Sequence, residues 1–354
     1  MRPLIVPFFI PHAGCPHQCV YCNQHLTARQ AASPPQSEEI RKTVREWVRR
    51  SPGRPVEVAF FGGSFTLLPR EQQQQLLTSV QPLLEQGLVD GIRISTRPDG
   101  LADDILPFLA EHKVRTIEIG VQSLDDEVLE RSERGHTATD SKAAIMRVAR
   151  AGFRTGAQLL PGLPGDAPDK ALASLSGVMA AGAEFVRIYP ALVLAGTRLA
   201  KQYAAGDWQP PSLDATIRLC ARMLLLAQQA GIPVIRLGLQ SDEGLVAGET
   251  VLAGPWHPAL GQLARGELYY SLVLKLADRL GEPLEEVVCH PARISDVIGH
   301  ERRNLIRWQQ RGLVVKQIYA GPGLTPEEIT VRSLSQQMTG SIITNLNDEE
   351  ILNA

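Results

Sequence analysis

Short apolar runs alternate with longer amphipathic segments over the first two thirds of the chain. The runs occupy residues 4–10, 56–61, 92–95, 116–121, 156–160 and 185–189. Each run is too short for a helix, and the segments between them carry apolar residues at helical spacing. A six-fold strand–helix alternation predicts parallel strands joined by right-handed crossovers. Six units favour an α/β fold of the partial (β/α)6 barrel type over a closed eight-fold barrel.

The rhythm changes after about residue 238. Gly254, Pro255 and Pro258 interrupt the chain, and a helical pattern then runs over residues 260–280. This change predicts a core domain over residues 1–237 and a small α+β C-terminal domain over 238–332. Residues 333–354 are polar apart from Ile342 and Ile343, and they are predicted to form a loosely held tail.

Composition and charge restrict the function classes. The chain has 354 residues, of which 44% are hydrophobic and 21% charged, as in ordinary globular proteins. Its formal net charge of -2 excludes coating of nucleic acid by bulk charge, so any contact with nucleic acid is local. No apolar run reaches the roughly 20 residues that span a bilayer. We therefore expect a cytoplasmic protein without membrane partners.

Three of the five cysteines lie within eight residues of one another. Cys15, Cys19 and Cys22 form a CxxxCxxC pattern in the segment GCPHQCVYCNQ, directly after the first predicted strand. Five cysteines are too few for a disulfide framework in a chain of this size. Three thiolates at this spacing indicate a metal or an iron–sulfur cluster. A 4Fe-4S cubane held by three cysteines leaves one iron open for another ligand.

A zinc site is the alternative interpretation of these cysteines. It needs a fourth ligand, which His12, His17 or His25 could supply. The remaining cysteines, Cys220 and Cys289, lie among apolar neighbours and are predicted to be small buried hydrophobic residues.

Polar residues and glycines gather at the carboxyl ends of the predicted strands. Phe-Gly-Gly-Ser-Phe ends the second (residues 61–65), Ser-Thr-Arg-Pro-Asp the third (95–99) and Gly-Val-Gln-Ser the fourth (120–123), with Arg-Gly-His-Thr after it (134–137). The fifth ends at Gln158 before a Pro-Gly-rich loop. In barrel folds this edge is the active face. For Ser95, Gln122 and Gln158, hydrogen bonding to local backbone is the competing explanation.

The cysteine spacing, with Tyr21 directly before the last cysteine, resembles the radical S-adenosylmethionine (SAM) superfamily. The strand-end motifs resemble one branch of it, which contains the elongator catalytic subunit and the anaerobic coproporphyrinogen oxidases, with the elongator type closer. The resemblance covers roughly residues 3–237. It implies two cofactors, a 4Fe-4S cluster on Cys15, Cys19 and Cys22, and SAM.

The resemblance also implies a SAM site. Tyr21 would contact the adenine through its backbone, and Gly62, Gly63 and Ser64 would hold the methionine end. The ribose and carboxylate would be surrounded by Ser95, Gln122, Arg134 and Gln158. The coproporphyrinogen oxidases carry acidic residues where Ser95 and Gln158 stand.

The implied activity is reductive cleavage of SAM to a 5′-deoxyadenosyl radical that abstracts hydrogen from a substrate. A flavodoxin or ferredoxin would supply the electron, and RNA, in particular tRNA, is a candidate substrate. The acetyltransferase domain of the elongator subunit is not expected in the remaining residues. Two alternatives stay open, a coproporphyrinogen oxidase-like or haem-handling radical SAM protein, and a non-catalytic zinc or iron–sulfur RNA-binding protein.

Residues 285–331 have a pattern typical of strand, helix, tight loop, helix and two strands. The loop at 299–302 is Gly-His-Glu-Arg, so the segment resembles a degenerate KH module, whose GxxG loop clamps nucleotide backbone. Arg303, Arg307 and Arg311 recur every four residues and are predicted to form a cationic row on one helix face. The row would contact phosphates or would simply be a solvated face of a packing domain.

Overall fold

The computed structural model describes residues 3–24, 26, 34–239 and 246–352. The chain forms two compact units. The first comprises Met1–Pro210 and Ser241–Gly254, and the second comprises Pro211–Gln240 and Pro255–Ala354. Within the described residues, no helix is both long and apolar enough to cross a membrane.

The first unit is an α/β half-barrel built on parallel strands. Its strands are β1 (Leu4–Phe9), β2 (Val56–Phe61), β3 (Gly91–Thr96), β4 (Val114–Gln122), β5 (Arg154–Leu159), β6 (Phe185–Ile188) and β7 (Val193–Leu194). Its described helices are α1 (Ser37–Arg50), α2 (Arg70–Glu85), α3 (Ile105–Glu111), α4 (Asp126–Arg131), α5 (Ala138–Arg150), α6 (Pro168–Ala180) and α7 (Arg198–Ala205). Strands β1 to β6 pair in parallel in chain order, which confirms the predicted (β/α)6 class.

The sheet is buried on both faces, as strand β4 shows. Ile117, Ile119 and Val121 alternate with Thr116 and Glu118, and all five residues have no exposed surface. Successive side chains of a strand point to opposite faces, so one face here is apolar and the other polar. A strand buried on both sides is characteristic of parallel sheets.

Ion pairs neutralise the polar face. The Glu118 carboxylate lies 2.6 Å from Arg93 on β3 and 2.7 Å from Arg187 on β6. Arg93 also binds Glu57 of β2 at 2.6 Å, and Gln158 of β5 donates to Glu118 at 2.9 Å. These side chains connect the five strands β2 to β6. The buried charges among them have partners of opposite sign.

Beyond Pro210 the chain forms α8 (Leu213–Gln229) and β8 (Val234–Leu237) in the second unit, then contributes β9 (Val251–Ala253) to the first, where it pairs antiparallel with β7. The second unit continues with α9 (Leu260–Leu280), β10 (Glu286–Cys289), α10 (Ile294–Ile298), α11 (Arg303–Gln310), β11 (Gln317–Ala320), β12 (Glu328–Arg332), β13 (Gln337–Ser341), α12 (Ile342–Asn345) and α13 (Asp348–Leu352). The sheet order is β11-β10-β12-β13, with β10 parallel to β11 and antiparallel to β12.

The compact units divide the chain differently from the predicted boundary at 237/238. The segment with α8 and β8 falls in the second unit, where Ile217 of α8 packs with Leu260 and Leu263 of α9. The apolar face of α8 is covered by α9, which comes later in the chain. A change of rhythm in the sequence cannot show this contact.

The predicted tail is also ordered in its described part. Strand β13 pairs with β12, and Ile342 and Ile351 are buried. Asp348 accepts two hydrogen bonds of 2.5 Å from Arg222 of α8. A few apolar residues and the ion pairs of Asp348 with Arg222 and of Glu350 with Lys275 therefore anchor a segment whose mean composition is polar.

Candidate cluster and cofactor site

The cysteine loop follows β1 and is tied to the first unit by backbone hydrogen bonds. Ile10 N–H donates to the Phe61 carbonyl at 2.8 Å, and Ser64 N–H donates to the Ala13 carbonyl at 2.8 Å. Further along the loop, Val20 N–H donates to the Ser132 carbonyl at 3.2 Å. The loop therefore lies at the carboxyl end of β2 and next to the turn after α4.

Hydrogen bonds of Gln24 connect the two ends of this loop. Its Oε1 accepts from the His12 N–H at 2.5 Å and from the Gly63 N–H at 2.7 Å. In return, His12 Nε2 accepts from the Gln24 N–H at 2.9 Å. His17 packs on Gly135, where an added Cβ would collide with its imidazole ring.

These contacts bear on the zinc alternative. His12 uses its Nε2 inside the loop, and His25 lies outside the described residues. Among the residues that the structure describes, no group of three or more His, Cys, Asp or Glu side chains is gathered as a metal site, and this holds for the three loop cysteines as well as for a zinc site completed by histidine. The choice between zinc and a cluster therefore rests on the cysteine spacing and on the family comparison below.

The three loop thiols influence one another. Cys19 is buried, and Cys15 and Cys22 are half-buried. Burial raises the pKa of the Cys22 thiol to about 12, Cys19 and Cys15 add to this rise, and Arg134 opposes it. Burial and Cys19 likewise raise the pKa of Cys15. Metal binding removes the protons of such thiols and neutralises the thiolates. Three cysteine sulfurs on one loop are the donor set of a three-cysteine cluster.

Cys220 and Cys289 are in the second unit and have no exposed surface. Burial alone raises the pKa of Cys220 to about 12. The prediction that these two cysteines are small buried hydrophobic residues is confirmed.

Arg134 points at the cysteine loop. Its Nη1 donates to Cys19 Sγ at 3.2 Å, its Nη2 to the Gly120 carbonyl at 2.5 Å and its Nε to His136 Nε2 at 3.2 Å. Only 5% of the residue is exposed. The predicted role was contact with the ribose and carboxylate of SAM. That role stays a prediction, and in the structure one guanidinium nitrogen points to a predicted cluster ligand.

Sequence reasoning missed two buried residues within motifs it had singled out. Arg97 binds Asp99 at 2.8 Å and also donates to the Arg134 carbonyl, and its Nη1 is buried without a hydrogen-bond partner among the described residues. Burial, followed by the Arg134 charge, lowers the pKa of His136 to about 4. His136 is therefore neutral at pH 7 and can accept from Arg134. Both residues lie in motifs that the sequence analysis singled out, Arg97 in the motif at 95–99 and His136 in the motif at 134–137.

The absence of side chains at Gly62 and Gly63 lets the cysteine loop pack closely against the turn after β2. Gly62 and Gly63 have φ of +75° and +55°, and a Cβ on Gly63 would lie 2.6 Å from the Ile10 carbonyl oxygen and would also collide with the Ala13 carbonyl. Ser64 has no exposed surface, and its hydroxyl lies 2.9 Å from Thr96 Oγ1. Its side chain is thus used inside the fold.

The other predicted SAM contacts fall into two places. Gln158 donates to Ser95 Oγ at 3.4 Å, so these two side chains meet above Glu118. Gln122 has φ of +70°, and its buried Oε1 accepts no hydrogen bond from the described residues. Tyr21 is half-buried and packs against a hydrophobic cluster formed by Val128, Leu163 and Ala191. An unsatisfied buried acceptor such as Gln122 Oε1 is the kind of group a bound ligand would satisfy.

In the predicted cationic row of the second unit, two of the three arginines are paired with carboxylates. Arg303 binds Asp214 at 2.8 Å. Arg307 forms a bidentate pair with Glu267 at 2.7 and 2.8 Å, and its guanidinium lies 3.6 Å from the centre of the Tyr270 ring. Both charges are therefore neutralised by carboxylates on other helices. In the tight loop, Arg302 adopts φ of +63° where a glycine is expected in the GxxG pattern.

Comparison with known families identifies the class of the protein. The Radical SAM superfamily model matches residues 9–175, and the Radical_SAM C-terminal domain model matches residues 183–270. The chain belongs to the radical SAM superfamily. Enzymes of this superfamily use a 4Fe-4S cluster and SAM.

The chain is similar to several individual proteins. An uncharacterised protein of Methanocaldococcus jannaschii is 28% identical over 208 residues, which cover 55% of this chain and 63% of that one. A tRNA uridine(34) acetyltransferase of Dehalococcoides mccartyi is 26% identical over 231 residues, covering 55% and 50%. The solved structure of the archaeal Methanocaldococcus infernus Elp3 with an N-terminal deletion has a TM-score of 0.55 at 20% identity, covering 78% and 63%.

These matches confirm the predicted superfamily and are consistent with the predicted branch of elongator-like and coproporphyrinogen oxidase-like proteins, and the solved structure has the same fold. The chain spans about half to two thirds of the length of the relatives it matches.

Proposed function

We propose that this chain is a radical SAM enzyme whose cluster is held by Cys15, Cys19 and Cys22. The observation that carries the proposal is the CxxxCxxC loop, fixed at the carboxyl end of β2 inside the matched superfamily domain. When bound there, a 4Fe-4S cluster supplies an open iron for the amino and carboxylate groups of SAM and one electron for cleavage to methionine and a 5′-deoxyadenosyl radical. A one-electron donor such as flavodoxin or ferredoxin would be its partner.

The chain's own residues would bind and orient SAM. The N–H groups of Gly63 and Ser64 are already used by Gln24 and Ala13, so the carbonyl oxygens of this turn are the groups suited to accept from the N–H groups of the iron-bound methionine amine. We place Ser95 and Gln158 at the ribose and the unsatisfied Oε1 of Gln122 beside them. The backbone of Tyr21 would meet the adenine. Gln158 also donates to Glu118, and the buried ion pair of Glu118 with Arg187 would hold these side chains in a fixed position.

RNA, and tRNA in particular, is the substrate we propose. One relative is named for tRNA uridine(34) modification, and an exposed basic surface exists in the first unit. Arg41, Lys42, Arg45 and Arg49 lie along one side of α1, and in the described part of the chain none of the four pairs with a carboxylate. Glu38 and Glu46 border the row. A local row of this kind suits phosphate contacts even though the whole chain carries -2.

The test of the reaction uses the reconstituted, reduced protein under anaerobic conditions. It is incubated with SAM and total tRNA from cells grown in deuterated medium. We expect methionine and 5′-deoxyadenosine to form, with deuterium in the 5′-deoxyadenosine only when the deuterated tRNA is present. Deuterium supplied instead by a porphyrin or protein fraction would overturn the RNA proposal and leave the radical SAM proposal intact.

The surface is tested by salt-dependent tRNA binding. Each phosphate contact contributes roughly one unit to the slope of log K against log salt. Replacing Arg45 and Arg49 by Glu is expected to lower this slope by about two and to weaken binding at all salt concentrations. The control is Arg131→Glu, which removes an exposed arginine that is already paired with Glu127. Equal binding by both variants and wild type would show that α1 does not contact tRNA.

A further inference from the structure

Among its described residues the first unit contains three buried arginines, Arg93, Arg97 and Arg134, and a fourth, Arg187, that is largely buried. One of the four differs from the others. Arg93 binds Glu57 and Glu118, Arg187 binds Glu118, and Arg97 binds Asp99. Arg134 has no carboxylate partner among the described residues, and its three hydrogen bonds go to a sulfur, a carbonyl and an imidazole. A buried guanidinium without a counter-ion is strongly unfavourable. Arg134 therefore requires a negative group that the ligand-free chain does not supply as a carboxylate.

The cysteine loop is the negative group that faces Arg134. Cys19 Sγ lies 3.2 Å from Nη1, within hydrogen-bond distance of a sulfur. His136 and the Tyr21 phenol are further polar neighbours of Arg134, and both are neutral groups at pH 7 that compensate no charge. With a cluster bound to the loop, the Cys19 ligand sulfur would be the counter-ion of Arg134.

We propose that Arg134 is the internal counter-ion of the cluster, and that its hydrogen bond to Cys19 raises the reduction potential of the cluster. The proposal rests on the proposed function, since it needs a cluster on these cysteines. Reduction by one electron adds one negative charge beside a fixed, buried cation. Hydrogen bonds to cluster sulfurs and the net charge near a cluster are among the features that set its potential. Arg134 is thus a positioning residue that acts on the electron-transfer step.

This role is distinct from contact with the carboxylate of SAM, which the family resemblance implies for Arg134. A cluster counter-ion acts on the potential whether or not SAM is present. A carboxylate ligand changes SAM affinity and affects the potential only through bound SAM. The two roles are therefore separable by measuring the potential of the protein without SAM.

The experiment is a potentiometric titration followed by electron paramagnetic resonance, on reconstituted protein without SAM. We expect Arg134→Gln to lower the ratio of reduced to oxidised cluster at a fixed potential by about tenfold, equivalent to about 59 mV for one electron. Arg134→Lys keeps the charge and is expected to restore most of the wild-type potential. The control Arg131→Gln, an exposed and paired arginine, is expected to leave the potential unchanged.

The remaining possible results each contradict or support the proposal. An unchanged potential in Arg134→Gln, an equal decrease in the Lys and Gln variants, or a difference seen only with SAM would overturn it. If Arg134→Gln holds no cluster while Arg134→Lys does, the charge requirement is supported. If neither variant holds a cluster, Arg134 is needed only for the structure and the proposal fails. A wild-type protein without four irons per chain would instead contradict the proposed function itself.

Discussion

Glu118→Gln removes the charge at the centre of the buried ion-pair network. Glu118 has no exposed surface and binds both Arg93 and Arg187. Arg93 keeps Glu57 at 2.6 Å, so its charge stays compensated after the substitution. Arg187 loses its one carboxylate partner among the described residues, and its side chain is just 14% exposed. Breaking a buried pair by removing one partner costs about 3–5 kcal/mol, and we expect a loss of stability in this range.

The assay is urea unfolding of the cluster-free protein, followed by far-ultraviolet circular dichroism. Working without the cluster keeps its loss from adding to the result. The control is Glu130→Gln on the exposed side of α4, which should change the free energy of unfolding by less than about 0.5 kcal/mol. Glu118→Gln combined with Arg187→Met should be less destabilised than the sum of the two single variants, because the stranded cation is gone.

A decrease below about 1 kcal/mol for Glu118→Gln would refute this reasoning, since it would match an ordinary point substitution. Full additivity in the double variant would refute it as well. Either result would mean that the two buried charges do not depend on each other.

Two further predictions concern Gly63, which packs against the start of the cysteine loop, and His136, which accepts a hydrogen bond from Arg134. Gly63→Ala should reduce both cluster content and SAM affinity, because the new methyl group meets the carbonyls of Ile10 and Ala13, whereas Gly87→Ala, at a similar φ of +66° but in open space, should leave both unchanged. For His136, the folded pKa of about 4 lies below the ordinary histidine pKa of 6.5, so its contribution to stability is present above pH 6.5 and is lost as the pH falls toward 4. Between pH 7 and 4, wild type should therefore lose up to about 3 kcal/mol more than His136→Gln in urea unfolding.

Features encoded over short stretches of sequence were predictable. The apolar runs gave the strands of the half-barrel, and the cysteine spacing located the loop, since both depend on neighbours within a few residues. Glu118 was not recognisable, because alternation along β4 resembles a half-exposed strand. Its partners Arg93 and Arg187 are 25 and 69 residues away.

The ion pairs made by the arginines of α11 were not predictable, for the same reason. Helical spacing correctly puts Arg303 and Arg307 on one face. Their carboxylate partners Asp214 and Glu267 are 89 and 40 residues away on other helices. Periodicity describes which residues share a face, but only the tertiary structure shows what covers that face. The predicted tail was anchored by Arg222 in the same way.

The most direct measurement of the central claim is the iron content and SAM cleavage of single cysteine variants, reconstituted side by side under anaerobic conditions. Wild type and Cys220→Ala, whose thiol is buried in the second unit, should each bind about four irons per chain and form 5′-deoxyadenosine. Cys15→Ala, Cys19→Ala and Cys22→Ala should each lose the four-iron cluster and the cleavage together. Retention of a full cluster and of SAM cleavage in these three variants would contradict the account.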